Sequence, residues 1–439
     1  MSPVELVVAP RWLIPVEPAG AILEDHAVAV GDGRILSVGP ANELREAHPD
    51  ADWIDRPDHA LIPGLVNAHT HAAMNLLRGY ADDLPLDTWL AEHIWPAEGR
   101  WVNRDFVRDG ADLAILEMIR GGTTSFQDMY FFPDEVGAVA AERGIRAVVS
   151  MIVIGAPTVW AESTDEYLSR GLEVHDRYKD HPLVKTAFAP HAPYTVDDDA
   201  LRRIVTLADQ TDTCIHMHVH ETAREVQDAV DANGKRPLQR LDELGLLTPQ
   251  LNAVHMTELS DNEISLLSSR GVHVVHCPES NMKLASGSCP SGKLIASGVN
   301  VALGTDGAAS NNDLDMFGEM RSAALLGKIT SEDASALPAA TVLQMATLNG
   351  ARALGLGEET GSLTPGKSAD MVCVNLNVPA CQPVHNPLSQ IVYSAGRDQV
   401  SDVWVAGRAL YTEGKYLSTE PDDVLARANA WMTRMQAEA

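Results

Sequence analysis

Residues 61–71 read Leu-Ile-Pro-Gly-Leu-Val-Asn-Ala-His-Thr-His. The run Leu61–Asn67 is a candidate buried strand entered through a Pro63-Gly64 turn, and His69 and His71 follow it directly. Seven further apolar runs of strand length lie downstream: Thr123–Asp128, Arg146–Ile152, Val184–Ala189, Cys214–Val219, Asn252–Met256, Val272–His276 and Asn300–Gly304. Stretches between them, such as DGADLAILEMIRGG (109–122) and ALRRIVTLADQ (200–210), carry helical periodicity. Alternating strand and helix predicts a parallel sheet, and eight strands over this length predict a (β/α)8 TIM-type barrel. A doubly wound sheet is the alternative, weakened because no GxGxxG follows the early strands.

Outside the barrel, the chain ends read as β-structure. Glu5–Ala9, Ala27–Val30 and Arg34–Val38 lie at the start, the last two flanking a Gly31-Asp32-Gly33 hairpin turn. Asp370–Asn375 and Val400–Val405 lie near the other end. Neither end is long enough for a sheet domain alone, so the two are expected to pair. The predicted organisation is a small β-sandwich domain from residues 1–59 and 369–439 around a barrel over 60–368.

Composition narrows the function. Lys plus Arg total 33 against 61 Asp plus Glu, a net charge of -28, which would repel nucleic acid and anionic membranes. Five cysteines show no CxxC spacing, which suits free thiols in a reducing cytoplasm. The first residues, MSPVELVVAPRWLIPVEP, lack the basic and continuous apolar regions of a signal peptide, and no run of about 18 apolar residues is present. The expectation is a cytoplasmic protein that binds neither nucleic acid nor membrane; composition alone does not identify a small-molecule substrate.

The polar residues sit where barrel enzymes place chemistry, past the C-terminal ends of strands. His69 and His71 are two apart, so a regular strand points both imidazoles to one side, where they suit zinc or a similar divalent ion. Ile215–Thr222, IHMHVHET, alternates three histidines. His218 is the candidate third ligand, while His216 and His220 read better as core or hydrogen-bonding residues. Glu221 stands at the strand exit, free to carry protons. Asp306, in LGTDG, either completes a metal site or caps the following helix. His191 and His255 either are satisfied buried histidines or contact substrate and transition state.

Taken together, LIPGLVNAHTHAAMNLLRGYADDLPLDTWL, APHAPYTV, IHMHVHET, VHMT, HCPESNMKLASG, LGTDGAASNND and the late LTPGKSADMVCV resemble the amidohydrolase superfamily. More narrowly they resemble its 5'-methylthioadenosine/S-adenosylhomocysteine deaminases, across almost the whole chain. The resemblance implies one divalent metal, usually zinc, on His69, His71, His218 and Asp306. It implies that Glu221 shuttles protons, that His255 polarises the reacting centre, and that Asp306 also serves the attacking water. It places His191 and Trp89 against the nucleoside and Glu98 on the ribose hydroxyls. No counterpart of a bridging carboxylated lysine is evident, since Lys185 falls too early on its strand, which favours a mononuclear site. Relatives of this kind are often dimers. A pocket for the 5' substituent is expected from Met129–Phe132 or Pro157–Trp160, on their apolar composition.

Two other readings share the chemistry or the site. One is deamination of a free purine such as guanine, or dechlorination of a triazine-like ring. The other is a metal- and ligand-binding protein without turnover, disfavoured by Glu221. Cysteine-ligated nucleobase deaminases are disfavoured because the H-x-E…P-C-x-x-C arrangement is absent.

Overall fold

The computed structural model describes residues 3–437. The central eight-stranded sheet is parallel throughout and runs in chain order. We number its strands β1 (Leu65–Thr70), β2 (Thr123–Asp128), β3 (Arg146–Val153), β4 (Val184–Pro190), β5 (Ile215–Val219), β6 (Leu251–His255), β7 (His273–His276) and β8 (Asn300–Leu303). Each matches a predicted run within one or two residues except the first. The run Leu61–Asn67 is divided between two sheets: Leu61 and Ile62 end a long strand of the other sheet, Asp52–Pro63, and β1 starts at Leu65. Gly64 makes that junction possible, because a Cβ there would lie 1.9 Å from Thr124 Oγ1. As a result His69 lies inside β1 and only His71 follows it.

Side chains draw the last strand to the first. Asn67 donates to Thr305 Oγ1 (2.7 Å) and accepts from the Thr305 backbone N–H (3.0 Å). The Asp306 N–H donates to the His69 carbonyl (3.0 Å). Buried Val66, Ala68, Val148, Ala187, Val254, Val275 and Ala302, one or more from most strands, pack together as a core. Several helices between strands start at side-chain caps, among them those capped by Ser163, Asp197, Thr222 and Ser260.

The two chain ends do pair. Met371–Asn375 runs antiparallel to Asp52–Pro63 within one nine-stranded sheet. An Arg34–Ser368 bridge and a shared core of Val8, Val28, Ile35, Leu61, Met371 and Trp404 bring its two halves together. Two boundaries differ from expectation. The border at 59/60 falls inside the strand Asp52–Pro63, and the last helix, Pro421–Ala437, leaves the sheet for the barrel. That helix docks through Arg427 on Asp109 and Asp112 and through Trp431 against Phe106. Among the described residues no helix is long and apolar enough to cross a membrane.

Candidate active site

The C-terminal strand ends bring the predicted donors to one point. His69 Nε2 lies 3.2 Å from His218 Nε2 and 3.3 Å from Asp306 Oδ1, and His71 Nε2 lies 3.3 Å from the same oxygen. Tetrahedral N/O ligands about 2.0 Å from a metal stand about 3.3 Å from one another. The spacing of His69, His71 and Asp306 therefore suits ligands of one divalent ion, while His218 is joined to them through His69, with which it and His255 form a second close group. The second nitrogens are oriented from behind: His216 Nε2 meets His69 Nδ1 at 2.8 Å, and the Met129 carbonyl accepts from His71 Nδ1 at 2.5 Å. Gly304 is needed here, since a Cβ would stand 2.8 Å from His69 Cβ.

Asp306 is not a helix cap. The following helix, Met316–Ser331, is capped by Asp315. Instead Asp306 accepts from Ser280 Oγ through Oδ2 (2.6 Å) and from the Gly307 N–H through Oδ1 (2.9 Å). Burial pushes the His69 imidazole down to about 4. Burial opposes protonation of His71 too, but the Asp306 carboxylate overrides it and draws His71 up to about 9. The carboxylate faces His69 Nε2 and His71 Nε2 at 3.3 Å each, a position that suits a cation.

His216 and His220 are both engaged in hydrogen bonds. His216 touches His69, while His220 is spent on the Glu258 carbonyl (2.8 Å) and the Leu238 N–H (3.3 Å). His255, which also lies within 4.8 Å of His69 and His218 donor atoms, has Nδ1 against Asn281 Oδ1 (2.9 Å). Its Nε2 is 3.8 Å from Glu221. His191 meets Thr195 Oγ1 through Nδ1 (3.2 Å) and stacks edge-on to His218. His220, His255 and Asp306 all take left-handed φ (53°, 75° and 66°), strain concentrated at strand exits around the site.

These groups open on a cleft of about 420 Å3, within the range of small-molecule sites. His71, His191, His218, Glu221, His255 and Asp306 line it, and so do Trp89 and Glu98 from a helical segment after β1. A π-helical turn, Trp89–Ile94, precedes the helix Trp95–Trp101 that bears Glu98. Tyr130 donates to Glu98 Oε1 at 2.6 Å. Burial raises the Glu98 carboxyl above its usual value, and the Tyr130 bond works against that rise. Met129–Phe131 and Pro157–Val159 line the same cleft, whereas Phe132 and Trp160 pack on each other at 5.3 Å. Lys185 is half exposed and faces Glu359 (3.8 Å), away from the histidines. Residue-by-residue reading missed Ser280, Asn281 and Tyr130. Ser280 and Asn281 sit inside the quoted HCPESNMKLASG after β7, and Tyr130 two residues past β2, positions where strand-end polarity was the available signal.

Comparison with known proteins agrees with this geometry. The sequence profile of the Amidohydrolase family matches residues 60–410, and that of a bacterial imidazolonepropionase-like composite domain matches residues 27–51. A 5-methylthioadenosine/S-adenosylhomocysteine deaminase of Teredinibacter turnerae is 47% identical over 427 residues, 97% of each chain. A 5'-deoxyadenosine deaminase of Methanothermobacter thermautotrophicus is 47% identical over 407 residues, 92% of this chain and 93% of that one. Among solved structures, an adenosine deaminase from Xanthomonas campestris with bound zinc superposes with a TM-score of 0.98 at 52% identity, over 99% of each chain. With barrel, strand-end histidines and near-full-length relatives in agreement, the chain belongs to the amidohydrolase family.

Proposed function

We propose that the protein hydrolytically deaminates an adenine nucleoside, 5'-methylthioadenosine and/or S-adenosylhomocysteine, to the inosine-type product and ammonia. The observation that carries the reading is a single cleft lined both by the histidine–aspartate cluster with Glu221 and by Glu98. The first set suits hydrolysis at a ring carbon, and the second suits a ribose. Relatives named as deaminases of such nucleosides, at 47% identity, support the same substrate class.

His69, His71, His218 and Asp306 would hold one divalent ion; the zinc-bound relative at 52% identity favours zinc. Bound there, the ion supplies Lewis-acid chemistry, lowering the pKa of water from about 15.7 to about 7. Asp306, its Oδ2 fixed by Ser280, orients the attacking water and takes its proton. The C6 carbon of a neutral purine is a poor electrophile, so Glu221 protonates N1 as attack proceeds and then helps deliver a proton to the leaving ammonia. His255, whose Nδ1–H is donated to Asn281 Oδ1, stabilises charge growing on the attacking oxygen through a second proton on Nε2. Glu98 accepts hydrogen bonds from the ribose hydroxyls, with one lone pair of Oε1 taken by the Tyr130 hydroxyl. Trp89 and His191 flank the base. Met129, Phe131, Ile154, Pro157 and Val159 offer the 5' substituent an apolar wall.

The same reading makes the protein a cytoplasmic homodimer whose partner is a small nucleoside, with no nucleic acid or membrane ligand; the net charge of -28 supports the last point. The test is ammonia release by zinc-loaded protein on 5'-methylthioadenosine, S-adenosylhomocysteine, adenosine, 5'-deoxyadenosine and guanine, with chloride release from a chlorotriazine alongside. Turnover of the adenine nucleosides is expected. Activity confined to guanine or to the triazine would overturn the assignment.

A further inference from the structure

The loop that carries Glu221 is held by a contact that helix capping does not explain. The helix Ala223–Asn233 begins at Thr222, whose Oγ1 accepts from the Glu225 N–H (3.1 Å). Glu225 is thus the third residue of the helix, the place from which a capping-box glutamate reaches back to the N–H of the cap residue itself. Glu263 does so on the helix Asp261–Arg270, accepting from the Ser260 N–H at 2.8 Å. Glu225 instead reaches beyond its cap. Its Oε2 accepts from the Glu221 N–H at 2.7 Å and its Oε1 from the His220 N–H at 3.0 Å. The left-handed φ of His220 (53°) turns the backbone here, and the two successive N–H groups meet one carboxylate. Across the loop, Thr257 Oγ1 stands 3.1 Å from the His220 carbonyl and 2.9 Å from the Glu221 carbonyl. Both backbone edges of the Glu221 loop are therefore pinned, one by Glu225 and one by Thr257.

We propose that Glu225 is a positioning residue for deamination: by binding the His220 and Glu221 amides it fixes the Glu221 backbone, so that the Glu221 carboxylate stays in reach of the purine N1. Glu225 touches neither the metal ligands nor the cleft's ribose end. A group held this way bears on proton delivery more than on substrate affinity, because of the two residues whose amides it binds, Glu221 faces the cleft while the His220 ring is spent on the Glu258 carbonyl and the Leu238 N–H. Burial raises the Glu225 carboxyl to about 7. This inference rests on the role given to Glu221 above.

The test compares the parent with Glu225→Gln and Glu225→Asp, each measured per bound zinc. Gln turns an NH2 toward one of the two amide donors, and Asp keeps the charge near the helix start but is too short to reach both. Misplacing a reacting group by about 1 Å costs about 100-fold. Both variants should therefore lose about 100-fold in kcat, with KM for 5'-methylthioadenosine held within about threefold and zinc content unchanged. The solvent deuterium isotope effect on kcat should rise as proton delivery becomes limiting. If the Glu225 variants do not fold, Thr257→Val, which removes the opposite side-chain contacts and leaves the Thr257 N–H on the His220 carbonyl, should give a kcat-selective loss of the same kind. An active parent whose Glu225 variants keep kcat within about twofold, or lose activity only in step with lost zinc, overturns the positioning role alone. A zinc-loaded parent that releases no ammonia from any adenine nucleoside overturns the functional reading beneath it.

Discussion

Replacing Glu98 by Gln separates ribose recognition from chemistry. Glu98 Oε1 is engaged by the Tyr130 hydroxyl at 2.6 Å, which leaves Oε2 and the remaining lone pairs of a carboxylate for the two ribose hydroxyls. A hydrogen bond to a charged partner contributes a net ~1.5–3 kcal/mol. The cleft opens to water, so the low end applies: two such bonds give about 3 kcal/mol, or about 100-fold at 1.36 kcal/mol per decade. Gln keeps the shape and an oxygen for Tyr130, so the loss reports the missing charge and acceptor sites. The assay is steady-state ammonia release from 5'-methylthioadenosine and from its 2',3'-dideoxy analogue, with parent and variant. The variant should lose about 100-fold in kcat/KM on the intact nucleoside and little on the analogue, which has no hydroxyls to lose. An equal loss on both substrates, or none on the intact one, would refute the ribose assignment.

Glu221→Ala should cut kcat by about 100- to 10,000-fold with zinc content unchanged by metal analysis, as expected of a general acid–base group. Asn281→Ala leaves His255 Nδ1 without its partner and should lower kcat about tenfold with little change in KM, measured on 5'-methylthioadenosine. Chelation should abolish turnover and lower Tm, and zinc should restore both, because a ligand bound only by the folded state adds to its stability. Acid should loosen the end sheet through Asp402. Burial alone would raise its carboxyl, but hydrogen bonds from Arg56 (2.8 Å at each oxygen), Thr412 and Ser401 hold it below the usual 3.8. A depressed carboxyl stabilises the fold above its ordinary value and loses that contribution as pH falls through the lower folded value. Asp402→Asn should therefore cost about 3 kcal/mol in urea unfolding at pH 7, and the cost should shrink below pH 3.8.

Much of the site was legible because barrel geometry turns a one-dimensional pattern into a place. Polar residues that recur at the ends of apolar runs meet at one face, and His69, His71, His218, Glu221, His255 and Asp306 did so. Along IHMHVHET, His218 faces the cleft while His216 and His220 make hydrogen bonds behind it. Junctions were harder to read. Leu61–Asn67 is continuous in hydropathy, yet Gly64 splits it between two sheets, because burial on both sides of the break leaves no polar mark. The last helix was assigned to the β domain because its docking depends on Arg427 meeting Asp109 and Asp112, a pairing over 300 positions apart that no local pattern encodes. Ser280, Asn281 and Glu225 escaped for the same reason: each acts through a distant partner or a backbone group rather than through its own spacing.

The most direct test of hydrolysis at C6 is the product formed from 5'-methylthioadenosine in heavy-oxygen water. Zinc-loaded protein should release ammonia in step with substrate loss and yield the inosine-type nucleoside carrying one heavy oxygen, by mass spectrometry. Free purine base, an unlabelled product, or an unchanged nucleoside with zinc bound would contradict deamination by this site.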